Sequence, residues 1–216
     1  MNFPDAATPI STCAAPECAD CSIADSIHCH FGLPDLVHFY LISLPVFLVG
    51  GAGILAVGLL PLLVWIVIIV GFFNIVEIRV MCSHCPHYAE EGRTLRCWAN
   101  YGSPKIWKYR PGPMSFMEKF VLIAGLVVVF GYPLVFFITG GTWYLMGLYL
   151  LLVAGFYISI QRSFCSRCMN LACPLNGVPD PVRRAFLKRN PVVGRAWGVE
   201  PPGGGSGTKS SASLRS

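Results

Sequence analysis

Two stretches without a single Asp, Glu, Lys or Arg, Leu36 to Val76 and Phe120 to Gln161, constrain this chain more than any other feature. At about 1.5 Å per residue, one helix through either stretch would be about twice as long as a hydrocarbon core about 30 Å thick. Each stretch therefore reads as two spans joined by a tight turn. Helix breakers place the turns at Gly58 to Pro61 and at Thr139-Gly-Gly-Thr142. The expected spans are 36–57, 60–80, 117–138 and 143–161. Composition agrees, since 54% of residues are apolar and only 12% charged, against about 25% charged in globular chains. An ordinary soluble domain is excluded.

The spacing predicts an all-α integral membrane protein of four transmembrane helices, with six segments. These are an acidic Cys-rich arm (1–35), a first hairpin (36–80), a Cys-containing loop (81–116), a second hairpin (117–161), a basic Cys-containing segment (162–200) and a disordered Gly/Ser-rich tail (201–216). Neither hairpin turn carries a charge, whereas the loop region holds Arg93, Arg96, Lys105, Lys108, Arg110 and Lys119, and further basic residues follow Arg162. Lys and Arg near span ends mark the cytoplasmic side. Both termini, the loop and the cysteines are thus expected on the cytoplasmic face. The net charge of +5 is an orientation signal of this kind, and nucleic acid is not read as a partner. Acidic Asp5, Glu17, Asp20, Asp25 and Asp35 in the arm would attract the basic loop and tail if these folded together, or else form a solvated face. The arm lacks the basic start and apolar core of a secretory signal.

One motif occurs twice, Arg79-Val-Met-Cys82-Ser-His-Cys85 and Arg162-Ser-Phe-Cys165-Ser-Arg-Cys168, each time at the end of an apolar stretch. A proline, Pro34 or Pro113, leads into each hairpin. The chain therefore reads as two tandem hairpins in a parallel internal repeat, related by an axis along the membrane normal. A four-helix bundle with two facing cysteine knuckles follows.

None of the ten cysteines falls within an expected span. Cys13, Cys18, Cys21 and Cys29 lie in the arm, Cys82, Cys85 and Cys97 in the loop, and Cys165, Cys168 and Cys173 after the last span. On a cytoplasmic face unligated thiols stay reduced, so metal ligation is the leading reading for all ten. Two Cys-x2-Cys turns supply the four sulfurs of a tetrahedral zinc site, and the same pairing suits iron. The extra cysteines favour an iron-sulfur cluster, because Cys165, Cys168 and Cys173 stand close in sequence and Cys173 precedes Pro174, while Cys97 follows Cys82 and Cys85. These six are the central candidates. The arm cysteines complete their sites or form their own.

The run Cys13-x4-Cys18-x2-Cys21 resembles the opening spacing of plant-type ferredoxins, although Cys29 follows sooner than their remote fourth ligand. Phe164-Cys-Ser-Arg-Cys-Met-Asn-Leu-Ala-Cys-Pro-Leu175 is similar to the cytoplasmic cluster-binding turns of polytopic quinol-oxidising electron-transfer proteins, without their full four-cysteine run. That resemblance implies electron transfer, with a membrane quinone as a candidate partner.

Histidines widen the donor choice, since His28 and His30 flank Cys29, and His84 and His87 flank Cys85. His38 begins the first span, where an interfacial role is expected. Asn74 and Glu77, three apart, should share a helix face at the span end, either anchoring the interface or lining a quinone pocket or proton route. Gly50, Gly51, Gly53 and Gly58 permit close helix contact, and Trp65, Trp143 and Tyr144 suit packing or the membrane interface. The aromatic and basic run Trp98 to Pro113 offers a surface for a protein partner or anionic lipid, and its prolines exclude a continuous helix. A short basic stretch, 182–189, is expected to lie on the surface.

Three functions fit these residues. An iron-sulfur electron-transfer subunit of an oxidoreductase complex comes first, and a non-catalytic docking module with structural zinc sites second. The third is a membrane thiol-disulfide oxidoreductase. It resembles four-helix quinone-coupled disulfide-forming enzymes in span number and in Cys-x2-Cys at span ends, but those work on the opposite side.

Overall fold

The computed structural model describes residues 8–199. The principal helices are α1 (Leu33–Leu55), α2 (Leu59–Gly71), α3 (Glu77–Val80), α4 (Phe116–Thr139), α5 (Trp143–Ser163), α6 (Asp180–Arg189) and α7 (Pro191–Ala196). A π turn over Phe72–Val76 joins α2 to α3, making one continuous rod. No strand occurs among the described residues. Four helices are long and apolar enough to cross a membrane, as the charge-free stretches require. The Gly/Ser-rich tail assigned to 201–216 lies outside the described residues.

The boundaries shift by a few residues for local reasons. Helix α1 starts at Leu33, with Pro34 in its first turn, where the missing N–H would be unpaired in any case. Pro61 sits likewise in the first turn of α2, so the turn is Ala56–Gly58 and precedes Pro61. The start of α4 is set by a capping box. Ser115 Oγ accepts from the Glu118 N–H at 3.3 Å, and the Glu118 carboxylate accepts from the Ser115 N–H at 2.9 Å. Pro113 therefore lies outside its helix whereas Pro34 lies inside, so the two prolines are not equivalent.

Helices α1 and α4 cross the middle of the bundle, with α5 and α2 beside them. The centre is built around Pro133 of α4. Proline leaves the carbonyl four residues earlier without its helical donor, and Trp65 of α2 supplies one, donating Nε1–H to the Val129 carbonyl at 2.9 Å. Tyr149 of α5 donates its hydroxyl to the adjacent Phe130 carbonyl at 2.9 Å. Gly50 of α1 faces this node, and Gly53 and Gly125 let Phe137 and Phe72 pack directly against their backbones; a Cβ at either would stand 2.0 Å from a ring carbon. Trp65 is thus a packing residue, while Trp143 and Tyr144 are exposed at the start of α5. Leu41, Leu60, Val67, Val127 and Leu151 point outward and are exposed although apolar, a surface suited to lipid.

Both hairpins turn at the same end, so the described parts of the arm, the loop and the segment after α5 gather at the other. The arm inserts Ile10, Ile23 and Ile27 among Met169, Leu171, Val178, Phe186, Leu187 and Val193. Hydrogen bonds hold it there: Ala14 N–H to the Arg189 carbonyl (2.8 Å), Thr12 Oγ1 to Asn190 Oδ1 (2.8 Å) and His28 N–H to the Arg167 carbonyl (2.7 Å). Among the described residues no arm carboxylate pairs with Lys or Arg, so docking is apolar and hydrogen-bonded, not driven by acid–base attraction. The basic stretch is α6, with Phe186 and Leu187 turned into the core. The loop forms no long helix of its own before α4, only short turns at Cys82–His84 and Pro86–Tyr88 and a bridge between Thr94 and Pro104.

Candidate functional site

The two knuckles adopt one local conformation. Each begins at a residue still in the helical region, Met81 (φ −119°, ψ −56°) or Phe164 (φ −119°, ψ −53°), passes through one tight turn, and ends at an extended cysteine, Cys85 (φ −77°, ψ 137°) or Cys168 (φ −76°, ψ 127°). Serine fixes both turns. Ser83 Oγ donates to the Arg79 carbonyl at 2.7 Å and Ser166 Oγ to the Arg162 carbonyl at 2.8 Å, each capping a carbonyl left free at a helix end.

The knuckles meet. Asn170, two residues after Cys168, donates Nδ2–H to the Met81 carbonyl at 3.2 Å, and Cys85 packs in the apolar cluster that holds Met169. Trp98 stacks on Phe164 with centroids 4.5 Å apart, which brings Cys97 of the loop beside the second knuckle. Asn176 fixes the segment around Cys173, donating to the Cys168 and Asn170 carbonyls at 2.7 and 3.1 Å.

The ten cysteines, all free thiols, thus fall into two neighbourhoods. In the central one, Cys82 interacts electrostatically with Cys97, Cys85 and Cys173, Cys85 with Cys168, Cys97 and Cys173, and Cys168 with Cys173, Cys165 and Cys97. Burial, reinforced by these neighbours, pushes Cys85 and Cys168 well up. Burial raises Cys97 to about 11 despite N–H donors from Asn100 and Ala99, and Cys173 to about 12. In the arm, burial and then Cys21, Cys13 and Cys18 push Cys29 up to about 12. An open cavity of about 440 Å³ lies here, lined in part by Glu17, Cys18, Cys21, His28, Cys29 and Asp35. The sets abut, since Cys13, Cys21 and Cys29 border the cluster that buries Cys85. Among the described residues no three His, Cys, Asp or Glu side chains are already gathered as a site for a metal ion.

The histidines divide. His84 is engaged by the loop and α4, with Nδ1 2.7 Å from the Gly112 carbonyl and Nε2 3.5 Å from Glu118. His30 contacts the Thr8 carbonyl at 2.8 Å. His87 is buried and neutral, pushed down to about 3 by desolvation and then by His30 and Lys105, and neutral imidazole is the ligating form. His38 lies against the Phe164 ring, centroids 5.2 Å apart.

One member of this site, Asn100, escaped the sequence reading, and a second, Glu77, parts from the Asn74 it was paired with. Asn100 donates through Nδ2 to Cys82 Sγ (3.4 Å) and to Glu77 Oε1 (3.5 Å), and through its backbone N–H to Cys97 Sγ (3.2 Å). Glu77 is buried at 7% exposure, whereas Asn74 is exposed, donating to the Val70 carbonyl at 3.1 Å. The shared face expected from their spacing fails because the π turn between them advances the helix out of its 3.6-residue phase. No regular hydrophobic period reveals such a turn. No family model, curated protein sequence or solved structure matches the chain.

Proposed function

We propose that this is a membrane electron-transfer subunit whose cysteines ligate iron-sulfur clusters at the cytoplasmic end of the bundle. The observation that carries it is the convergence of six thiols from the loop and the post-helical segment, Cys82, Cys85, Cys97, Cys165, Cys168 and Cys173, at one end of four apolar helices. A protein partner on that face or a membrane quinone would receive the electrons. The arm thiols Cys13, Cys18, Cys21 and Cys29 form a second set beside the first, close enough to serve as a further ligand group.

The third cysteine beside each Cys-x2-Cys turn, Cys97 and Cys173, supports a cluster over a single zinc ion, because three local thiolates with a more distant fourth are a common cluster arrangement. The cytoplasmic orientation is supported by Arg93, Arg96, Lys105 and Lys108 in the loop and Arg183, Arg184, Lys188 and Arg189 in α6, all on the cysteine side. The matching backbone of the two knuckles supports their descent from one repeated hairpin unit.

Iron, zinc and acid-labile sulfide, measured on protein purified without oxygen, test this reading together with the visible spectrum before and after dithionite. Iron with sulfide and a bleachable brown colour is the expected outcome. Zinc alone would indicate a structural docking module, and a metal-free protein with cycling thiols an oxidoreductase.

A further inference from the structure

Resting on that metal-site reading, we propose that the Glu77 carboxylate is a ligand of the group held by Cys82, Cys97 and Cys173. Glu77 enters the bundle end from α3, turned inward by the π turn before it. Its electrostatic neighbours are these three thiols, one from the first knuckle, one from the loop and one after the second knuckle. The side chain of Asn100 bridges Oε1 and Cys82 Sγ at 3.5 and 3.4 Å, so carboxylate and thiol face the same point.

The second oxygen decides the matter. Glu77 Oε2 is buried with no hydrogen-bond partner. No ion pair reaches it among the described residues. Arg79, two positions on, turns to Glu118 at 3.6 Å and lies over the Trp107 ring, and Arg110 also binds Glu118. A buried carboxylate oxygen without a donor or cation is unfavourable, and a metal cation among the thiols supplies the missing partner. Carboxylate oxygen is an ordinary ligand for zinc and iron alongside sulfur. Three thiolates and one carboxylate are the donors of a four-ligand set that closes only as the metal binds, since no three of them are gathered on one point beforehand.

The test uses the full chain, purified without oxygen in mild detergent, as wild type, Glu77→Gln, Glu77→Asp, Cys82→Ser and the Glu77→Gln/Cys82→Ser double variant. Bound metal is followed against rising chelator, with monodisperse elution as the check on folding. Glu77→Gln should release its central metal at about tenfold lower chelator, Glu77→Asp should retain more than Glu77→Gln, and the double variant should do no worse than Cys82→Ser, because one site is lost only once. Wild-type retention in Glu77→Gln, equal loss in the Asp and Gln variants, or additive losses in the double variant would each overturn the assignment. A wild-type chain that binds no metal would overturn the metal reading itself.

Discussion

At the residue scale, one proline organises the membrane core. Pro133 frees the Val129 carbonyl in a bundle whose surroundings offer no water, and Trp65 brings a donor to it while Tyr149 donates to the neighbouring Phe130 carbonyl. Trp65→Phe keeps most of the ring volume and removes the N–H, leaving the Val129 carbonyl unpaired. The unfolding midpoint in mild detergent should fall by the equivalent of about 1 kcal/mol, and a second change, Pro133→Ala, should remove most of that penalty by restoring the helical donor. The same scale holds what the sequence could not disclose. The Ser115-x-x-Glu118 box was open to reading as a helix start, but Asn100, inside an irregular loop, carries no local pattern that says its amide reaches Glu77 and Cys82.

At the element scale, the knuckles and the arm do different things. The knuckles are fixed by their own short sequences, which is why a repeated Arg-x-x-Cys-Ser-x-Cys pattern was enough to foresee them; serine capping needs only the preceding turn. The four spans were equally legible, because charge avoidance is a property of composition and not of packing. The partition of the thiols was not legible, since it depends on the arm laying Ile10, Ile23 and Ile27 against α6 and α7. Cys18→Ser should therefore remove the arm's share of bound metal, about half if each set holds one cluster, and leave the spectrum of the central set intact. Cys168→Ser should do the reverse. Metal stoichiometry and the dithionite-reduced spectrum of each variant check this pair.

At the scale of the whole molecule, the hairpins send every cysteine-bearing segment to one end and leave the other with two short uncharged turns. An impermeant thiol reagent applied to intact cells should label a Thr139→Cys chain and should reach a Glu91→Cys chain only after the membrane is opened. Both positions are exposed and lie outside the thiol neighbourhoods. The opposite pattern would place the thiols on the oxidising side and favour disulfide chemistry.

The contacts that hold the arm also set an order of events during synthesis. Thr12 bonds to Asn190, 178 residues later, and His28 waits for Arg167. The ribosome thus releases the arm's four thiols long before their shelter, which follows up to 178 residues later. At a synthesis rate of about 5–20 residues per second, Cys13, Cys18, Cys21 and Cys29 stand uncovered for many seconds while the helices enter the bilayer. That interval is when a metal donor, or an oxidant, has its freest access to them.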